Sequence, residues 1–242
     1  LLNTVFDALG KGLRAMTTTI TLSSSTYNYT DTADSNFING NSKANLIEGG
    51  AGNDTIKGKI HNDTLSGGAG DDVLIGGSHK DVLRGGAGND TLLGGDDGDW
   101  LSGGDGDEDT VYGGQDEDTV YGGQGEDTVW GNKGDDLLFG NRDDDVLYGG
   151  VGDDTMGGGQ GTDIFVFETE SGSDVISDFD TDAGEVLDLT RLGFDEDFAA
   201  FKAGRIDENA DGDAVVDLGG DNNIVLLGVG VDDLQASHVT LV

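Results

Sequence analysis

The chain has 242 residues, with 49 acidic against 12 basic side chains, a net charge of −37, 45 glycines, and neither proline nor cysteine. Missing cysteines exclude disulfides and thiolate metal sites, and the few Lys and Arg argue against nucleic acid or anionic membrane as partners. So charged a chain resists compaction unless multivalent cations neutralise it. No apolar run reaches the roughly 18 residues of a membrane span.

Residues 1–16, LLNTVFDALGKGLRAM, read as an amphipathic helix with Leu2, Val5, Phe6, Leu9 and Leu13 as its apolar positions. The segment lacks the basic start and small-residue cleavage site of a secretory signal. Opening on Leu points to processing or to a longer parent chain, with Met16 as another candidate start. Residues 1–30 are therefore read as an entry helix and linker.

From Gly40 the chain repeats every nine residues. The copies run GNSKANLIE, GGAGNDTIK, GKIHNDTLS, GGAGDDVLI, GGSHKDVLR, GGAGNDTLL, GGDDGDWLS, a ten-residue GGDGDEDTVY, GGQDEDTVY, GGQGEDTVW, GNKGDDLLF, GNRDDDVLY, GGVGDDTMG and GGQGTDIFV, ending at Val166. A fainter copy, DTADSNFIN, precedes them at 31–39. The eighth position is always apolar, from Ile47 to Phe165. The sixth is Asn45 in the first copy and thereafter Asp54, Asp63, Asp72, Asp81, Asp90, Asp99, Asp109, Asp118, Asp127, Asp136, Asp145, Asp154 and Asp163.

This G-G-x-G-x-D-x-U-x pattern closely resembles the calcium-binding nonapeptide of RTX proteins. The resemblance implies an all-β fold, a calcium-stabilised parallel β-roll over residues 31–166. In such a roll six residues turn, three form a short strand, and two nonapeptides complete a coil. It also implies several calcium ions, held by the sixth-position aspartates and by loops carrying Gly50, Gly52, Gly68, Gly70, Gly86, Gly88, Gly104, Gly106, Gly123, Gly125, Gly134, Gly150, Gly152, Gly159 and Gly161.

Elementary chemistry agrees. Glycine supplies positive φ without a Cβ penalty, and alternation turns the eighth residue inward. Carboxylates stacked at the strand spacing of about 4.8 Å need a cation between them. Calcium accepts six to eight carboxylate and carbonyl oxygens. Asx-turn chemistry accounts for one Asp per loop but not for the uncompensated charge. About ten ions, one per stacked loop pair, would bring the net charge to roughly −17.

With two copies per coil, alternate copies share an edge. One series carries Gly52, Gly70, Gly88, Gly106 and Gly125 at position four, and the other Lys43, His61, His79, Asp97 and Asp116. The alternation breaks at Gly134 and Asp143 before Gly152 and Gly161 restore glycine. One edge is thus near consensus and the other degenerate towards its N-terminal end, where Lys43 is expected to substitute its ammonium for an ion. His61 and His79 should lie one coil apart. They form either a transition-metal or proton-sensitive pair or residues chosen because His tolerates left-handed backbone. No third soft ligand shares their position, which favours the second reading.

Position nine of five successive copies is Tyr112, Tyr121, Trp130, Phe139 and Tyr148. These fit equally a partner- or polysaccharide-binding strip and a rigidifying cross-strand ladder. Residues 167–242 are read as a C-terminal cap of antiparallel hairpins built on AVVDL and NIVLLGV. Residues 161–194 resemble the segment closing RTX rolls in serralysin-type proteases. DENADGDAVVDL imitates an EF-hand loop but ends on Leu218 and lacks a convincing flanking helix, so a hairpin turn is expected. The apolar end QASHVTLV is similar to the uncleaved signals of type I secretion substrates.

Catalysis is not expected. Three histidines, His61, His79 and His238, leave no HExxH, and no G-x-S-x-G occurs. The resemblance implies a secreted or surface-exposed module of a Gram-negative bacterium that folds on meeting extracellular calcium, with the type I exporter as partner. Its alternatives are the tail of a secreted hydrolase or epimerase, and a surface adhesin or self-assembling module.

Overall fold

The computed structural model describes residues 18–23, 28–30, 34–106 and 108–242; the amphipathic segment 1–16 and the start of the faint copy at 31–33 lie outside these. The described strands form two sheets, of 11 and 12 strands, and consecutive strands alternate between them through the roll. Thr55–Ile60, Val73–Ser78, Thr91–Asp96, Thr110–Gln115, Thr128–Lys133 and Val146–Val151 belong to the first. Leu46–Ala51, Thr64–Ala69, Val82–Ala87, Trp100–Asp105, Thr119–Gln124 and Leu137–Arg142 belong to the second. Every neighbouring pair here is parallel, and pairs such as Thr64↔Val82 and Val73↔Thr91 set the register at two repeats per coil. The ten-residue copy leaves it intact, since Thr91 pairs with Thr110 and Trp100 with Thr119.

The strands are six residues long, twice the expected length. The x-U-x triplet is followed without a break by the next copy's first three residues, and the ladder continues through pairs such as Gly68↔Gly86. Only positions four to six remain as turn. The seventh position is commonly β-branched (Thr64, Val73, Val82, Thr91, Thr110), which suits a half-buried pleated surface.

Two files of side chains make the core. Ile56, Leu74, Leu92, Val111, Val129, Leu147 and Phe165 come from the first sheet, and Ile47, Leu65, Leu83, Leu101, Val120, Leu138 and Met156 from the second, all with no exposed surface. One apolar side chain per copy is set against the ordering of nine backbone residues, so apolar burial alone is a thin source of stability.

Beyond Val166 the parallel sheets run on through Ser173–Ile176 and Val186–Asp188. Asn222–Leu226 then adds in parallel to Ser173–Ile176 and carries the antiparallel strands Ala214–Gly219 and Ile206–Glu208. The first sheet ends on the two-residue Val239–Thr240, within the apolar tail, a short edge that offers little template for further pairing. A helix, Phe198–Arg205, packs Phe201 into the cap and is capped by Asp197, whose side chain accepts the Ala200 N–H at 2.9 Å. A helix therefore does flank the EF-hand-like stretch on its N-terminal side, contrary to expectation. The C-terminal flank is nevertheless a strand, and the loop is an Asx-type turn in which Asn209 Oδ1 accepts the Asp211 and Asp213 N–H groups.

Leu101→Ala should lower stability by about 2–5 kcal/mol, measured by denaturant unfolding in saturating calcium, whereas Ile60→Ala at a largely exposed position should change it by about 0.5 kcal/mol or less.

Candidate metal centre along the two edges of the roll

Each turn delivers its sixth-position carboxylate into the roll. The expected aspartates from Asp54 to Asp163 are all buried, none more than 4% exposed. Their Oδ1 atoms follow one rule: each accepts the backbone N–H of the corresponding residue one coil earlier. On one edge Asn36, Asp54, Asp72, Asp90, Asp109, Asp127 and Asp145 donate in turn to Asp54, Asp72, Asp90, Asp109, Asp127, Asp145 and Asp163 at 2.6–2.9 Å. On the other, Asn45, Asp63, Asp81, Asp99, Asp118, Asp136 and Asp154 donate to Asp63, Asp81, Asp99, Asp118, Asp136, Asp154 and Asp174 at 2.6–3.0 Å.

Oδ2 is different. In every aspartate from Asp63 to Asp154 it is buried and has no hydrogen-bond partner. An unsatisfied buried carboxylate oxygen is costly, and here the cost recurs at each rung. Burial, opposed by the backbone hydrogen bond and reinforced by neighbouring rungs, raises most of these acids: Asp72, Asp90 and Asp127 to about 7, and Asp118, Asp145 and Asp154 to about 8. The buried ladder is therefore tolerable only with its acids protonated or with a positive partner beside them.

The glycines make this placement possible in two ways. Position one faces inward, and a Cβ on Gly67 or Gly85 would overlap the carboxylate of Asp72 or Asp90, so space dictates glycine there. Positions two and four commonly take positive φ, as in Gly68 at 117° and Gly70 at 122°. Position four keeps left-handed backbone where His or Asp replaces glycine: His61 has φ 75°, His79 76°, Asp97 70°, Asp116 69° and Asp143 70°. The histidine rings stack at 5.3 Å, and His79 Nδ1 accepts the His61 N–H at 3.4 Å. That is loop architecture, in keeping with the tolerance of His for this region.

The edges assort as the eighteen-residue period requires. Gly52, Gly70, Gly88, Gly106, Gly125, Asp143 and Gly161 lie on one, and His61, His79, Asp97, Asp116, Gly134 and Gly152 on the other. Lys43 is exposed; the ammonium that reaches its loop is that of Lys59, which donates to the Gly40 carbonyl at 2.7 Å. On the same edge Lys80 pulls the Asp99 carboxyl down against the upward push of burial. Three groups escaped sequence reasoning. Asp174 is a further rung, signalled by Gly172-Ser173-Asp174, and Gly172 shares the positive φ of position four. Glu185 is a second, and Lys59 the third.

The donor set is oxygen throughout. Among the described residues no three His, Cys, Asp or Glu side chains converge on one point. A cation here would draw on stacked carboxylates together with loop carbonyls, the hard ligands that calcium takes.

The aromatic residues form two ladders, one per sheet. Tyr112, Trp130 and Tyr148 stack successively on the first, the last pair at 3.5 Å and 2°. Trp100, Tyr121 and Phe139 pack on the second, with the Tyr121 and Phe139 rings stacked at 5.2 Å. Arg191 lies over Tyr148 and Arg84 over Trp100. The stacked ring faces are turned on one another along the roll, the arrangement of a cross-strand ladder.

Comparison with known proteins accords with this geometry. The RTX calcium-binding nonapeptide repeat matches in six overlapping segments: 30–60, 57–92, 75–107, 93–129, 104–138 and 130–165. No curated protein sequence matches the chain. Among solved structures, the extracellular lipase LipA from Serratia marcescens is similar with a TM-score of 0.40 and 17% identity, over 88% of this chain and 40% of the lipase.

Two outcomes follow for the edges. A group whose folded pKa is raised gives stability that is full below its unfolded value, near 3.8 for Asp, and is lost as pH rises through the folded value. In chelator, therefore, β-structure by circular dichroism should be strongest near pH 4 and disappear as pH rises through about 6 to 8. Rising β-content over that range would contradict the buried ladder. Separately, Gly85→Ala should destabilise the folded chain by more than His79→Ala, because only the former drives a methyl into Asp90, and thermal unfolding in calcium would rank the two.

Proposed function

The chain belongs to the RTX calcium-binding nonapeptide-repeat family, and on that premise we propose that it is an export-compatible module whose folding is driven by extracellular calcium. The observation that carries the proposal is the unpartnered Oδ2 that recurs from Asp63 to Asp154 along both edges. With the acids ionised and no cation, adjacent rungs repel and the folded state strands one buried oxygen per copy. An unfolded, strongly anionic chain suits passage through a narrow type I exporter.

Outside the cell, calcium reaches the range over which extracellular modules bind it, about 10⁻⁴–10⁻³ M. Each ion bound only by the folded chain adds RT ln(1 + [Ca]/Kd), about 2.7 kcal/mol at a hundredfold excess over Kd. Many weak sites sharing one solenoid thus make a steep switch, because each coil presents its neighbour with formed loops. The placement of Val239–Thr240 at the edge of the first sheet supports a timing in which the apolar tail is read before folding and added to the roll afterwards. Proposed site residues are the sixth-position aspartates and the glycine loops around them. The role is structural, with no chemistry assigned to the acids, which recur at every copy instead of forming one paired site.

At pH 7.5 the chain should give a coil spectrum in chelator and gain β-signal cooperatively as calcium is added, magnesium failing to replace it because the smaller ion demands stricter octahedral geometry. Unchanged strand content after complete calcium removal at this pH would overturn the proposal.

A further inference from the structure

The two aromatic ladders end differently. On the first sheet Tyr148 is the last ring, and Arg191 lies over it. On the second, Phe139 stacks on Tyr121, and its partner on the next rung is Gly157. From Glu48 to Val166 no other ninth position is glycine. Gly157 does not take positive φ, so its backbone places no demand for glycine. A Cβ there would instead meet Phe139 Cδ1 and Asp178 Oδ2, both at 3.2 Å. The missing side chain leaves a surface cavity of about 350 Å³ beside the Phe139 ring, with the glycines 157–159 as its floor and Asn141, Gln160 and Asp178 at its rim. That volume lies at the low end of small-molecule sites.

The rim is polar in a particular way. Asn141 follows Phe139 by two residues on one strand, so both side chains leave the outer face. Asn141 takes φ 85° at a position where the same sheet otherwise uses glycine, at Gly50, Gly68, Gly86, Gly104, Gly123 and Gly159. A side chain held in left-handed backbone where glycine fits costs stability, and such a cost points to a use. Gln160 occupies the third position, where Gln115 and Gln124 donate to Asp96 and Asp105 one coil earlier. Gln160 has Arg142 there instead, and Arg142 donates to Gln124, which leaves the Gln160 amide facing solvent. Asp178 is held in place by the Gly158 N–H, which donates to its Oδ1 at 3.0 Å.

An open ring face beside two amides and a carboxylate suits a ligand with one apolar face and several groups that both donate and accept hydrogen bonds. We propose that this notch binds the end of a neutral carbohydrate chain, with one sugar ring on Phe139 and its hydroxyls met by Asn141, Gln160 and Asp178. A phosphate or uronate would face the Asp178 carboxylate on a chain of net charge −37. An apolar peptide side chain would leave the amides and the acid unmatched. Binding at the end of the ladder separates no stacked rings, and Tyr121 steadies Phe139 from the other side. The site uses the folded roll and none of the ions along its edges.

Saturation-transfer NMR on the full chain in calcium tests this, with maltotetraose, cellotetraose and chitotetraose as probes and tetragalacturonate as the acidic control. At least one neutral probe should bind and the acidic one should not. Asn141→Gly restores the glycine of the repeat, so it should keep the β-spectrum and thermal stability while weakening binding about tenfold. Gly157→Ser, which intrudes on the notch, should weaken binding as well. Asn132→Gly makes the same exchange at φ 78° on the other sheet and should leave binding unchanged. Failure of all three neutral probes to bind would overturn the proposal. So would binding that survives both Asn141→Gly and Gly157→Ser, or tetragalacturonate binding as well as the neutral probes.

Discussion

The structure depends on a carboxylate that is only half satisfied. At turn after turn from Asp63 to Asp154 an aspartate folds inward, accepts a backbone N–H of the neighbouring coil on one oxygen, and keeps the other buried without a partner. The first oxygen sets the register of the roll. The second makes the roll conditional, because closely spaced buried charges of one sign are tolerable only when protonated or bridged by a cation. A single residue type thus supplies both the geometry and the switch. Glycine at position one follows from the same constraint, since the carboxylate occupies the space a side chain would need.

The rest of the chain is arranged around this weakness. The apolar core is one side chain per copy, and the outer faces carry aromatic ladders ending in Arg191 and Arg84. Neither contribution neutralises an edge. The degenerate stretch of one edge uses cations of its own, with Lys59 on the Gly40 carbonyl and Lys80 beside Asp99, so the demand for calcium is uneven along the roll. At the far end the mixed sheet, the helix carrying Phe201 and the short final strand close the core where the repeats run out.

Much of this was legible because the period of nine maps one residue position to one environment. The inward files from Ile47 to Phe165 and the aspartates from Asp54 to Asp163 could be named from spacing alone, and the eighteen-residue alternation sorted His61 and His79 onto one edge. Legibility failed where the period failed. Asp174 lies twenty residues after Asp154 and Glu185 twenty-two after Asp163, so counting misses them although the sheets carry the register across. The strands exceed the three residues that the resemblance implies because glycine, though a weak strand former, stays in the ladder where backbone pairing, not side-chain packing, decides. Repeat position points to Lys43, whereas reach favours Lys59 on the adjoining strand. The helix Phe198–Arg205 has only eight residues and depends on packing Phe201 into the cap, a tertiary contribution that local pattern does not display.

The central claim is that calcium, and not a proton, neutralises the buried ladder at neutral pH. Infrared spectroscopy of the chain labelled with ¹³C at the aspartate carboxyls tests this most directly, because ionised, metal-bound and protonated carboxyls absorb separately. At pH 7.5 in calcium the folded chain should show a metal-bound carboxylate band that disappears together with the β-structure when chelator is added. A chain that remains folded in chelator at that pH, with its ladder aspartates showing the carbonyl band of the protonated acid, would contradict the account.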